Sequence, residues 1–403
     1  MKNLIIISLS LLISSCSHLD IASYLDMMKT DTINQSISKV RVNLLWSSDI
    51  GESRDYKTGI LQPVFKDGTA YSIDSNGYVS AIDLSNGDPI WLYDLDMEVS
   101  SGLGFHDNKI FFGTNDGMYY GININKLASS YSIFDTLDFI NILDDTQVDP
   151  DIKLQLKSEA SSQAIGLDDL VFIKLDDGDT TAINTNNGEI EWNYKGRNVP
   201  LSMKGSGAIA ILNNNIYVPR DDGNIISLQY SSGKLNWLVS ISPRSGRNEL
   251  ESLRDVEISP VIDNGVLFIG SFQGNLIAID TFSGNIIWSR PMSILSHMSI
   301  DNENLYVSDE SGIIYAIDRY DGNTLWKTDF PEKIVSMQTF VADQYIVSLS
   351  TKGHVIVLNK LDGKLLTLKN LLSDIDPQAN GLLFDKILYI VTKDGRLNAI
   401  KIN

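Results

Sequence analysis

The chain has 403 residues, 43% of them hydrophobic and 21% charged, with a formal net charge of −19. This composition suits a globular protein with a large core and excludes a disordered or multi-span membrane chain. The acidic balance disfavours nucleic acid and bare electrostatic adhesion to anionic lipid, which both need clustered Lys and Arg. The single cysteine excludes an intramolecular disulfide, a Cys-rich zinc site and a CxxC redox pair.

At the start of the chain, Lys2 precedes an apolar run from Leu4 to Ile13. The run is short for a bilayer span and has the size of a signal-peptide apolar region. It ends at Ile13-Ser14-Ser15-Cys16, which resembles a bacterial lipobox: apolar, small, small, then the cysteine that receives lipid. The sole cysteine of the chain stands there. We therefore expect a signal peptide over residues 1–15, lipidation at Cys16 and a polar tether over residues 16–40. Each buried methylene of an acyl chain contributes about 0.8 kcal/mol, so several chains hold a protein stably at a membrane. Ser17 follows the cysteine where sorted lipoproteins retained at the inner membrane carry Asp. That resemblance implies the outer membrane of a Gram-negative bacterium, on its periplasmic face.

From about residue 41 the sequence repeats. The template of a unit is an aromatic residue, a Gly six positions later, an alternating segment ending in Asp or Asn, a turn Gly and, four residues on, a Trp. The first Gly of each unit falls at Gly77, Gly117, Gly178, Gly223, Gly274, Gly312, Gly353 and Gly395. The aromatic slot holds Tyr71, Phe111, Phe172, Tyr217, Phe268, Tyr306 and Tyr389, with Val347 in the seventh unit. Each unit reads as four short strands divided by Gly, Asn and Asp turns. One such sheet cannot cover both its faces, but eight stacked radially cover one another. The expected fold is all-β: an eight-bladed β-propeller of four-stranded antiparallel blades over residues 41–403.

Trp91, Trp192, Trp237, Trp288 and Trp326 each follow a turn Gly by four residues and read as packing between blades. Trp46, in Asn43-Leu44-Leu45-Trp46, matches the same motif with no complete unit before it, while the eighth unit stops short of its last strand. Residues 42–46 are therefore expected to join the last blade as its outer strand and close the ring. Two places break the pattern. The second unit loses its turn Gly and Trp after Asn123, and the extra segment over 124–160, with Asp144, Asp145, Asp149 and Asp151, reads as a solvated acidic insertion. The fourth unit has a long charged exit from Ser240 to Glu257.

No catalytic grouping is assembled. His18, His106, His297 and His354 are scattered, and there is no HExxH, GxSxG or phosphate-binding loop. The Asp-Gly pairs at the repeat turns follow from turn chemistry. We expect no enzyme activity, no metal and no cofactor.

The Ala-Ile-Asp-x-x-x-Gly-x-x-x-Trp cadence resembles the repeat of pyrroloquinoline quinone dehydrogenases. Those enzymes use a vicinal disulfide that this chain lacks, so the resemblance reaches the scaffold and not the site. Nearly the whole chain, with its lipobox, eight repeats and closing strand, is more similar to the BamB family, lipoproteins of the outer-membrane β-barrel assembly machinery. The stretch Leu201-Ser202-Met203-Lys204-Gly205 resembles that family's Leu-Ser-Leu-Arg-Gly loop, and Leu253-Arg254-Asp255-Val256-Glu257 its Leu-Ser-Asp-Val-Asp. The resemblance implies that Leu201, Met203, Lys204, Asp255 and Glu257 bind the periplasmic repeats of BamA, the barrel-forming subunit. Lys204 stands where the family has Arg and cannot form the bidentate fork of a guanidinium. The implied function is a non-enzymatic scaffold within the assembly complex that aids insertion of outer-membrane proteins. Exposed outer strands could also pair with unfolded clients. The alternatives are a relic of a quinoprotein dehydrogenase and a cell-envelope ligand sensor. Both segments connect an outer strand to the next inner strand, so they should emerge as neighbours on one rim.

Overall fold

The computed structural model describes residues 40–51, 62–130, 148–197, 207–241, 258–330, 334–376 and 379–403. They form eight four-stranded antiparallel sheets, each an up-and-down meander from an inner to an outer strand. The first blade runs Val64–Lys66, Thr69–Ile73, Tyr78–Asp83, Pro89–Asp94. Its two middle strands are buried on both faces because neighbouring blades cover them, which is why they read as nearly unbroken apolar runs. The outer strand has only one covered side: Trp91 is buried, while Ile90 and Leu92 beside it are exposed.

The ring closes as the sequence implies. The last blade is ordered Val42–Asp49, Arg396–Ile402, Ile387–Val391, Leu382–Phe384 from the outside inward. Val42 pairs with Ile402 and Trp46 with Ala399, and a bulge skips Leu45. The other Trp-bearing outer strands carry the same bulge one residue before Trp, and each Trp faces a small residue: Ala81, Ala182, Ser227, Ala278 or Ala316. The N-terminal strand thus reproduces its repeat down to the local irregularity.

The tryptophans hold neighbouring blades together. Within a blade, each ring lies 5.7–6.1 Å from the aromatic slot residue. Towards the next blade five of the six lie against the turn Gly: Trp46 on Gly87, Trp192 on Gly233, Trp237 on Gly284, Trp288 on Gly322 and Trp326 on Gly363. A Cβ on Gly363 would stand 2.5 Å from the Trp326 ring, and φ there is +67°, so both contact and backbone call for glycine. Four indoles also donate to a carbonyl of that turn: Trp192 to Tyr230, Trp237 to Thr281, Trp288 to Arg319 and Trp326 to Lys360, at 2.8–3.0 Å.

The second blade departs from the acidic-insertion reading of 124–160. The helix Ile124–Ser130 replaces the turn and buries Leu127 against the cluster that holds Trp91. The chain then returns as Ile152–Gln155, the blade's own outer strand, with Ile152 against Gly188 where a Trp would stand. Asp151 is bound by Lys126 at 2.9 Å and by the Asn123 amide at 2.7 Å. Without a Gly or Trp to mark it, this strand is invisible to the repeat pattern. Asp144 and Asp145 lie outside the described residues.

Candidate partner-binding rim

An up-and-down blade sends the turn between its second and third strands, and its exit to the next blade, to one rim. The turn between first and second strands and that between third and outer strands lie on the other. The exit rim is built by a repeated device. In six blades the first residue past the outer strand donates its amide to the carbonyl of the repeat Gly: Leu95 to Gly77, Leu156 to Gly117, Ile241 to Gly223, Met292 to Gly274, Leu371 to Gly353 and Ile50 to Gly395. These bonds turn the chain sharply under the rim.

The third blade breaks this rule. Past Ile190–Tyr194, the amide of Gly196 donates to Asp179 Oδ1 at 2.9 Å. The Gly178 carbonyl lies so close to Gly196 that a Cβ there would stand 1.7 Å from its oxygen. Asp179 is buried and also accepts from Asn193 Nδ2 at 2.9 Å and Lys157 Nζ at 3.4 Å. Burial alone would raise its pKa; the Gly196 amide, Asn193 and Lys157 outweigh that and hold the carboxyl below its ordinary range. The exit toward residues 198–206 is therefore clamped by a charge-assisted bond. Sequence reading missed this clamp, although Asp179 is the only acid directly after a repeat Gly.

Leu201, Met203 and Lys204 lie outside the described residues, as do Asp255, Glu257 and Cys16. Their shoulders are described. The chain re-enters the fourth blade at Ile209 and the fifth at Ile258, both buried. The Ala208 amide donates to Ser259 Oγ at 3.0 Å, which ties the two re-entry points together. The exit of the fourth blade is fixed at Ile241, whose carbonyl accepts from Asn275 Nδ2 at 3.1 Å. Segments 198–206 and 242–257 thus begin and end on one rim, in adjacent blades.

Buried charge accompanies them. Lys174, buried at the end of the third blade's second strand, has its Nζ 3.6 Å from Asp221. Arg220, also buried, is held by Asp222 at 3.2–3.3 Å through Nε and Nη2. Other blades place Ile73, Gly113 or Leu349 where Lys174 stands. Each cation has a carboxylate beside it, as burial requires.

Among the described residues no three or more His, Cys, Asp or Glu gather as a metal site. Ser350 Oγ lies 3.0 Å from His354 Nδ1, but the same oxygen accepts the amides of Lys352 and His354. That hydroxyl caps a turn.

The sequence profile of the family described as "Outer membrane protein assembly factor BamB" matches residues 35–137, 152–328 and 311–403. Proteins of that name are similar along the chain. The one from Yersinia pestis is 24% identical over 257 residues, 61% of this chain and 60% of its own length. That from Vibrio cholerae is 24% identical over 358 residues, 89% and 88%. Among solved structures, BamB from Moraxella catarrhalis superposes with a TM-score of 0.74 at 19% identity, covering 90% of this chain and all of that one. The quinohemoprotein alcohol dehydrogenase from Comamonas testosteroni reaches 0.62 at 13% identity, covering 89% and 76%. At these identities the structural likenesses speak for the propeller fold alone. The profile, in contrast, covers nearly all of the chain from residue 35 onward, and the chain belongs to the outer membrane protein assembly factor BamB family.

Proposed function

We propose that this protein is a non-enzymatic scaffold of outer-membrane β-barrel assembly, anchored through lipid on Cys16 and binding the periplasmic repeats of BamA. The observation that carries the reading is the family profile over the whole propeller. The rim geometry supports it: the two segments bearing Leu201, Met203, Lys204, Asp255 and Glu257 leave and return side by side, joined at Ala208 and Ser259. Apolar anchors flanked by charges of both signs suit a protein interface, the apolar groups giving affinity and the charges register. A rigid propeller under such segments lowers the ordering cost of binding.

The test is capture of the periplasmic domains of the organism's own BamA by the mature protein, compared with Lys204→Glu and with Asp255→Lys/Glu257→Lys. Wild type should capture, and each folded variant should lose tenfold or more in affinity, since truncating or reversing interface charges costs about 2 kcal/mol or more. Failure of wild type to capture overturns the reading. Undiminished capture by the variants moves the interface off these residues.

A further inference from the structure

We propose that the rim opposite these segments is a lipid-docking face, carried by Phe282, Tyr320 and Leu361; the inference rests on the reading of the protein as lipid-anchored. These residues occupy one position, the tip of the turn between third and outer strands, in the fifth, sixth and seventh blades. The first, third and fourth blades carry Ser85, Asn186 and Ser231 there. The apolar residues thus form a continuous arc rather than a scatter. They are 93%, 70% and 86% exposed, and Phe384, in the eighth blade on the same rim, is 69% exposed.

The arc ends where the N-terminal chain enters. Val42 pairs with the far end of Arg396–Ile402, Arg41 and Asn403 exchange both backbone bonds, and Ile402 donates to the carbonyl of Lys386 in the first turn of the eighth blade. All of these lie on this rim. Val40 is fixed by Thr367 Oγ1, which donates to its carbonyl at 2.7 Å. Twenty-three residues lie between Cys16 and Val40. Such a segment reaches roughly 80 Å when extended and about 27 Å as a coil. An anchored membrane is therefore held close to this rim, at an effective concentration that lets a weak contact form.

Two features favour lipid over a folded partner. The side chains protrude singly from turn tips, a shape that a fluid interface accommodates and a rigid surface meets only with matching pockets. The turn amides are already satisfied: Ser283 by Asp280 Oδ1, Tyr320 by Asp318 Oδ1 and Leu361 by Asn359 Oδ1, at 2.7–2.8 Å. Such tips enter a low-polarity region without stranding a donor. Four carboxylates near the arc have a cation beside them, Asp263 with Arg319, Asp301 with Lys360, Asp343 with Lys386 and Asp362 with Lys364, at 2.5–3.1 Å, while Asp280, Glu303, Asp318, Asp321 and Asp385 on the same rim have no ion pair among the described residues. The arc stays acidic on balance, and its affinity for lipid rests on the apolar tips.

The test uses residues 16–403 with Cys16→Ser, which retains the whole propeller, and vesicles of phosphatidylethanolamine and phosphatidylglycerol. Co-sedimentation of wild type is compared with Phe282→Ser/Tyr320→Ser/Leu361→Ser, which copies the serines of the first and fourth blades, and with Leu361→Ser alone as a minimal perturbation. The triple variant should keep its thermal midpoint and lose about tenfold or more in partitioning, and the single variant a smaller part. Partitioning should survive high salt, since apolar contact drives it. No partitioning by wild type, or equal partitioning by the folded variants, overturns the proposal. Capture of BamA should be unchanged in the triple variant; its loss, with no vesicle binding by wild type, would make the arc a protein contact instead. Because the protein tested carries no lipid, an unmodified Cys16 in the cell would not alter these readings.

Discussion

The tryptophans share one structural position without sharing one energy. Trp326 donates its indole N–H to Lys360, whereas the Trp46 Nε1 is buried without a hydrogen-bond partner among the described residues. The turn carbonyl that would serve Trp46, that of Leu84, receives the Tyr389 hydroxyl at 3.2 Å instead. Phenylalanine keeps much of the apolar area and removes the N–H. Trp326→Phe should therefore lose a hydrogen bond and strand a carbonyl, while Trp46→Phe removes an unsatisfied donor. Denaturant unfolding should show Trp326→Phe to be the more destabilised by about 1 kcal/mol. Equal losses would mean that the Trp46 indole is solvated. The Trp spacing announces the packing, but nothing in it distinguishes a satisfied indole from an orphaned one, because the distinction depends on which hydroxyl reaches the turn first.

At the scale of elements, the closing strand makes a prediction about connectivity. Arg41 and Asn403 form a doubly hydrogen-bonded pair, the geometry that flanks a two-residue hairpin. A permuted chain that joins Asn403 to Arg41 through Asn-Gly and opens between Ser231 and Ser232 should fold with a thermal midpoint within a few degrees of the parent. A chain lacking residues 1–49 exposes the edge of Arg396–Ile402 and should lose about 5 kcal/mol or more, comparable to the net stability of a domain, and associate through that edge. Calorimetry and light scattering separate the two. Blade number, strand order and closure were legible because all eight repeats carry the first Gly and six of the eight outer strands carry a Trp where two blades meet. The outer strand of the second blade escaped for the same reason, since Ile152 fills the Trp slot and a helix replaces the Gly turn. The Asp179 clamp escaped because a carboxylate accepting a backbone amide from another turn leaves no periodic trace. The expected partner residues were found only through two short stretches that resemble a family, and their own sequence carries no repeat signal.

For the whole molecule, the turns set the response to acid. Asp83, Asp116 and Asp280 are held below the ordinary carboxyl range by the hydroxyls of Ser85, Thr114 and Ser283, and Asp362 by Lys364. Asp151, Asp179 and Asp301 are lowered as well, despite burial that opposes it. A carboxyl whose folded pKa is depressed contributes stability that is present above its unfolded value, about 3.9, and lost as pH falls through the folded value. The thermal midpoint should ease a little as pH falls through about 6.5, where burial keeps His354 from taking up its proton, and drop steeply below pH 4; a midpoint unchanged down to pH 3 would contradict this account. The ring also has an order in time. Its first strand and its last belong to one sheet, so the contact that closes it spans nearly the whole chain, and pairings of such separation are slow to form. During synthesis the leading end waits, unpaired, until the trailing end has been made. A chain halted or clipped on the way leaves its first strand without a neighbour, and completeness of synthesis becomes a condition for a locked ring.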